Sequence, residues 1–322
     1  MRGRNRSRDN NSYGRRNISK GTVRIPLILA ATFYVIAAAL YLKTRNLFYI
    51  FNFGYLGSAL GIGLFLNLSI PKDKSLMGRR IAQLLIGIYM VGYLGLLKSE
   101  NMQIEGFVAY LLAGIFAGAT LHYFIAKIAG PLIFGRGWCG WACWTAMVLD
   151  FLPWKKPQSG RIKKLESLRY IHLAVSVSIV LYFWFILGKG KFLLEPKTAF
   201  LWLIIGNAFY YISGIILAAV LKDNRAFCKY LCPVSLIMKI PSRFSLLKIE
   251  IDKEKCRDCK LCEINCPMDI KLLTYKNKGE RILSSECILC TTCIKVCPFD
   301  AIGVTFRPDG KIKNEEYLNY KG

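Results

Sequence analysis

Apolar and polar residues in this chain are segregated into long blocks rather than alternated. Nearly charge-free runs of about 20 residues, the length at which an α-helix crosses a bilayer, fall at about 25–42, 47–70, 81–97, 106–126, 170–187 and 199–221. The last reads AFLWLIIGNAFYYISGIILAAVL. The second carries Gly54, Gly57 and Gly61, a small-residue seam that lets a neighbouring helix approach closely. Beyond about residue 245 the long apolar blocks stop, and short strand-like stretches lead into cysteine-rich loops: IEIDKEKC before one loop and RILSSEC before another. The pattern predicts six transmembrane helices followed by a small domain of different make-up.

Composition agrees, with 54% hydrophobic residues in 322 alongside a formal charge of +25. The first 24 residues are a basic tail that feeds straight into a full-length apolar run with no small-residue cleavage site, so the first helix is expected to stay as an anchor. Loops alternate in basic content. The tail and the loops on its side hold 25 Lys and Arg, against 6 in the opposite loops. Since the Lys- and Arg-rich side is normally cytoplasmic, both termini are expected there, in a multi-pass protein of the cell (inner) membrane. The same distribution argues against nucleic-acid binding. Residues 1–245 hold 31 basic and 8 acidic groups, whereas residues 246–322 hold 14 and 12, so the excess follows membrane topology.

All 12 cysteines lie in the second part of the chain. Eight form two runs of C-x2-C-x2-C-x3-C-P: Cys256, Cys259, Cys262 and Cys266, then Cys287, Cys290, Cys293 and Cys297. A cubane [4Fe-4S] cluster needs four converging thiolates, three of which a tight loop with x2 spacings supplies. In two-cluster bacterial ferredoxins the fourth cysteine of each run serves the other cluster. That rule assigns Cys256, Cys259, Cys262 and Cys297 to one cluster and Cys287, Cys290, Cys293 and Cys266 to the other. Zinc favours paired C-x-x-C units, and a cytoplasmic setting disfavours disulfides. The expected fold is therefore an all-α six-helix transmembrane bundle with a C-terminal α+β two-cluster bacterial ferredoxin-like domain. Its parts are a basic tail over 1–24, a bundle over 25–245, the cluster domain over 246–306 and a C-terminal tail over 307–322.

The other four cysteines come in pairs after the fourth and sixth apolar runs, Cys139 and Cys143 in GRGWCGWACW and Cys228 and Cys232 in FCKYLCP. The i, i+4 spacing puts each pair on one helix face, and the orientation puts both pairs at the cytoplasmic membrane edge. Together they can close a tetrathiolate metal site, either a third iron–sulfur cluster or a mononuclear iron or zinc. Inert burial is the competing reading, because cysteine packs as a small hydrophobe. The two histidines, His122 and His172, lie in the cytoplasmic halves of apolar runs. Either could bind a quinone carbonyl, or simply bond a nearby backbone carbonyl.

GRGWCGWAC, FCKYLCP and the two ferredoxin runs, in that order over roughly residues 80–305, resemble the polyferredoxin-like membrane proteins of the NapH/NosR type. Trp144 stands where the first motif of that family usually has proline, and no long extracytoplasmic flavin-binding domain is present, so the shorter NapH-like arrangement is the closer match. The resemblance implies a lipid-embedded electron carrier, a quinol dehydrogenase subunit in some settings, working with a redox protein partner. The alternative is a metalloenzyme maturation or regulatory protein that reduces cupric ion or senses redox state. A transporter ranks lower, because the apolar runs show no pair of broken helices.

Overall fold

Glycines decide the first packing contact. In the structure, a computed structural model describing residues 20–71, 76–116, 119–154 and 160–309, helices α1 (Lys20–Thr44) and α2 (Phe48–Ser69) pack along each other. A β-carbon on Gly57 would stand 2.5 Å from that of Phe33, one on Gly61 3.2 Å from that of Ala30, and one on Gly54 3.3 Å from the Tyr34 ring. The expected seam therefore faces α1, where Tyr34 Oη and Ser58 Oγ add a 2.7 Å hydrogen bond. The first 19 residues of the basic tail, Lys72 and Lys74 of the next basic loop, and the C-terminal tail beyond Asp309 lie outside the described residues. The chain divides into two compact units, one ending at Arg79 and one running from Arg80.

Five described helices, rather than six, are long and apolar enough to cross a membrane: Val23–Thr44, Phe48–Ser69, Leu76–Leu97, Lys163–Ile186 and Pro196–Leu221. The third combines α3 (Leu76–Ile88) with a π-helical stretch, Tyr89–Leu97. The expected span over 106–126 is not one helix. α4 (Ile104–Leu112) stops after nine residues. Gly114 takes a left-handed φ of +70°, its N–H bonds to Leu111 O, and the Ile115 N–H bonds to Tyr110 O at 3.0 Å. This is a Schellman stop, which glycine adopts without steric cost. The helix resumes as α5 (Ala119–Tyr123), a π turn over Phe124–Ala129 and α6 (Gly130–Phe134). The apolar stretch Thr120–Phe134 is too short to count as a further span. The apolar run over 106–126, expected as one helix, is thus broken.

Short helices follow: α7 (Gly137–Trp141) and α8 (Trp144–Leu149). Then come α9 (Leu168–Leu181), running into a π turn Tyr182–Ile186, and the long α10 (Pro196–Leu221), which starts on proline and ends at Lys222 in a left-handed conformation. After α11 (Ala226–Tyr230) and the amphipathic α12 (Val234–Arg243), the C-terminal domain opens with β1 (Leu247–Ile251). It continues through α13 (Leu261–Ile264), α14 (Leu272–Lys278) and α15 (Thr292–Lys295) to β2 (Ile302–Phe306). The two strands are antiparallel, pairing Leu247 with Phe306 and Ile251 with Ile302. RILSSEC, expected as a strand, gives only one sheet-like bond, Ile282 N–H to Ile249 O at 2.8 Å. The strand facing β1 comes from IGVTF, beyond the last ligand motif. Cys139 and Met238 belong to the same buried core as Ile249, Cys266, Ile288 and Cys293, so the C-terminal domain and the membrane-edge segments share one interior.

Candidate metal centres at the membrane edge

None of the twelve cysteines is in a disulfide. The two ferredoxin runs repeat one another in backbone as well as sequence. Asp258 and Leu289, Lys260 and Thr291, and Asp269 and Asp300 occupy matching places in the two runs, and all six have left-handed φ angles between 48° and 60°. Such residues beside right-handed ones turn successive N–H groups to one side, forming a concavity suited to an anionic iron–sulfur core. The runs differ in exposure. The difference lies at the second cysteine, with Cys259 exposed and Cys290 buried, while the other matching cysteines are alike.

Cys266, Cys287, Cys290 and Cys293 line one small pocket, with Ile249 and Ile288 among its apolar walls. The fourth cysteine of the first run thus sits with the first three of the second. Burial pushes the Cys287 thiol up to about 12, with Cys290 and Cys266 adding to the rise. It pushes Cys262 up to about 11, where Glu263, Cys256 and Cys259 contribute. Thiols this hard to ionise become thiolates only against strong local positive charge, which bound iron supplies. Four sulfur donors around an apolar pocket fit a [4Fe-4S] cluster.

The membrane-edge pairs are built differently from the shared helix face expected of them. Cys139 lies inside α7, but the helix ends at Trp141, and Cys143 follows in extended backbone at φ −74°, ψ 121°. Cys228 lies inside α11, which ends at Tyr230, and Cys232 follows just before Pro233. Each motif is thus a five-residue helix plus one cysteine past its end. The two motifs meet at Arg225, which donates to Cys139 O and lies close to Cys228 Sγ. Burial pushes Cys228 up to about 11, and Cys143 and Cys139 raise it further against the opposing pull of Arg225. Burial also raises Cys143 and Cys232, and Cys139 adds to both. Met238 Sδ lies 3.6 Å from Cys139 Sγ. Among the described residues no three His, Cys, Asp or Glu side chains are gathered tightly enough to hold a single metal ion.

Buried charge surrounds these sites. Arg136, at the N-terminus of α7, is fully buried against Glu286, the residue before Cys287. Glu286 also receives Arg169 at 3.0 Å, Lys239 at 3.1 Å and Arg161 at 3.4 Å. Burial opposes its ionisation, but the four cations together hold the carboxyl well below the usual carboxylate range. Arg225, at the N-terminus of α11, donates to Cys139 O at 3.0 Å and Asp150 Oδ2 at 2.5 Å, and its Nη1 lies 3.8 Å from Cys228 Sγ. Lys229 joins Asp223, at 2.7 Å, to Asp269, whose own N–H bonds to Cys266 O. Trp141 Nε1 donates to Leu289 O at 2.9 Å. Both membrane-edge motifs are therefore stitched to the loops carrying Cys266 and Cys287.

The arginines were missed by sequence reasoning, although a signal was present. R-G-W-C-G-W-A-C over 136–143 and R-A-F-C-K-Y-L-C over 225–232 share arginine, aromatic and cysteine positions. Reading them as a repeat would have singled out Arg136 and Arg225.

The two histidines differ. His172 Nδ1 lies 2.8 Å from Leu231 O, beside Cys232, which is the backbone-bonded arrangement weighed against quinone binding. His122 packs edge-on to Trp138, with ring centroids 5.1 Å apart, and its buried Nε2 has no hydrogen-bond partner among the described residues.

This fold and these cysteine sites define a membrane iron–sulfur protein. A 4Fe-4S dicluster domain model matches residues 248–298, and a 4Fe-4S binding domain model matches twice, at 108–161 and 199–252, once over each membrane-edge pair. Two uncharacterized proteins of Methanocaldococcus jannaschii are similar. One is 30% identical over 209 residues, 62% of this chain and 77% of the relative, and the other 28% identical over 249 residues, 73% and 97%. The ferredoxin-type protein NapH of Haemophilus influenzae is 29% identical over 202 residues, 56% of this chain and 64% of that protein. No solved structure matches. The chain belongs to the family of NapH/NosR-type 4Fe-4S membrane ferredoxin-like proteins.

Proposed function

We propose that this protein carries electrons between the membrane, from a quinone pool or a membrane redox partner, and two cytoplasmic-side [4Fe-4S] clusters, by way of a third iron–sulfur centre at the membrane edge. Cys139, Cys143, Cys228 and Cys232 would hold that third centre; Cys266, Cys287, Cys290 and Cys293 the middle one; and Cys256, Cys259, Cys262 and Cys297 the outer one. When bound, such a cluster takes up or releases one electron without moving heavy atoms far. The observation that carries the reading is the direct packing of the first Cys motif on the loop of the second ferredoxin run. A β-carbon on Gly140, between Cys139 and Cys143, would stand 2.1 Å from Ile288 O. The exposure of Cys259 supports placing the outer site toward a soluble partner.

The 4Fe-4S binding domain matches over both membrane-edge pairs support a cluster there rather than a single zinc or iron. His122 is the stronger quinone candidate of the two histidines, because its Nε2 is unpartnered and it packs on the tryptophans that flank Cys139 and Cys143. Anaerobic purification with iron, sulfide and EPR quantitation tests the proposal. Iron and sulfide for three cubane clusters per chain are expected, reducible by a quinol in membranes. Iron for two clusters alone, or stoichiometric zinc, would overturn it.

A further inference from the structure

Lys127 lies in the π turn between α5 and α6, and it is only 4% exposed. Its ammonium stands 4.2 Å from the centre of the Trp138 ring and 5.6 Å from that of Trp144, the residues next to Cys139 and Cys143. The other cations at this edge are matched by acids, Arg136 by Glu286, Arg225 by Asp150 and Lys229 by Asp223 and Asp269. Lys127 forms no ion pair with a carboxylate among the described residues. A buried ammonium is expensive unless an anion faces it, and two indole faces repay only part of that cost. The π turn, a local widening that recurs at functional sites, is the segment that holds it there.

We infer that Lys127 is the counter-charge of the membrane-edge centre and the positioning residue that sets its reduction potential, a conclusion that rests on the proposed third centre. Four thiolates around a [4Fe-4S] core leave the site negative, and reduction adds one further electron. A fixed ammonium behind Trp138 and Trp144 favours that added charge and raises the potential of this centre above what its thiolates alone would give. Arg136 and Arg225 are already neutralised by their carboxylates, so they contribute less of this bias. The two ferredoxin sites, reached through other residues, are not affected to the same degree.

The test is a redox titration of the full-length protein in detergent, following each centre by EPR, with iron quantitation. Lys127→Met and Lys127→Gln should keep the iron of all three centres and lower the midpoint potential of the membrane-edge centre alone, while Lys127→Arg restores it. Loss of membrane-edge iron in both neutral variants, with retention in Lys127→Arg, also supports the counter-charge. The inference fails if the parent shows three centres and the neutral variants leave every potential unchanged. It fails equally if they shift all three potentials alike, or if Lys127→Arg behaves as Lys127→Met does. A parent with only two centres would instead overturn the proposed function, which separates the two failures.

Discussion

Gly140 touches Ile288. The glycine sits between the first membrane-edge cysteines and the isoleucine follows Cys287, and a methyl group on Gly140 would stand 2.1 Å from the isoleucine's carbonyl oxygen. No rotamer change relieves a clash with backbone, so Gly140→Ala should force the two loops apart at a cost of about 1–3 kcal/mol. The expected outcome is unchanged iron content with a lower Tm in detergent and weaker magnetic interaction between neighbouring centres. An Ala variant with parental Tm and spectrum would show that the loops are free to part.

Spacing made the ferredoxin half legible, because ligand geometry is local. The spacing marked the two runs, and the two-cluster rule put Cys266 with Cys287, Cys290 and Cys293, residues that line one pocket. The Gly54, Gly57 and Gly61 seam was equally local, and it packs on α1. What escaped was set by tertiary context. Hydropathy averages over about 20 residues, so it passed across Gly114, whose single left-handed turn ends α4. The i, i+4 spacing of Cys139 and Cys143 suggested one helix, but helical spacing does not establish a helix, and α7 ends at Trp141. A second strand was expected before Cys287, but the strand that pairs with β1 lies after Cys297, since pairing partners are chosen across the fold and not by flank similarity. Glu286 gave no signal at all, being one acidic residue whose importance comes from four cations contributed by distant segments.

That convergence makes Glu286 a hub: four cations meet it. Glu286→Gln leaves the fully buried Arg136 without its anion and the fully buried Arg169 with Glu166 alone. Removing one partner of a buried ion pair typically costs about 3–5 kcal/mol. The variant should loosen the C-terminal domain from the segments carrying Arg136, Arg169 and Lys239, read as faster trypsin cleavage around residues 239–250 and a lower Tm. Pairing with Arg136→Met should recover part of the loss, because the worst uncompensated charge is then gone. Additive losses in the double variant would argue against a shared network.

The histidines should separate by readout. His172→Leu strips the Leu231 carbonyl of its donor beside Cys232, which costs about 1–3 kcal/mol for an acceptor left buried and unsatisfied. Its effect should appear as lower stability with quinol-linked reduction per folded protein unchanged. His122→Leu removes no hydrogen bond made within the described residues, so stability should hold while quinol-linked reduction slows. If His122→Leu reduces as fast as the parent, electrons enter elsewhere and the quinone role for this residue is lost.

The membrane-edge centre itself is tested by changing one cysteine in each motif, since both motifs must contribute for the four thiols to act as one site. Cys139 and Cys228 are the buried members, each inside its short helix, and each is touched by the charged network: Arg225 bonds the Cys139 carbonyl and approaches Cys228 Sγ. Serine preserves size but gives a hard oxygen donor that holds iron poorly in a thiolate site. A Cys139→Ser, Cys228→Ser protein should therefore lose the iron and sulfide of one centre and keep the two ferredoxin clusters, whose ligands lie in separate loops. Its EPR spectrum should lose one component, and quinol should no longer reduce the remaining clusters, while a small soluble reductant still reaches them near the exposed Cys259. Should the double variant keep parental iron, spectrum and quinol reactivity, the pairs are packing residues, and the route from membrane to ferredoxin domain must bypass them.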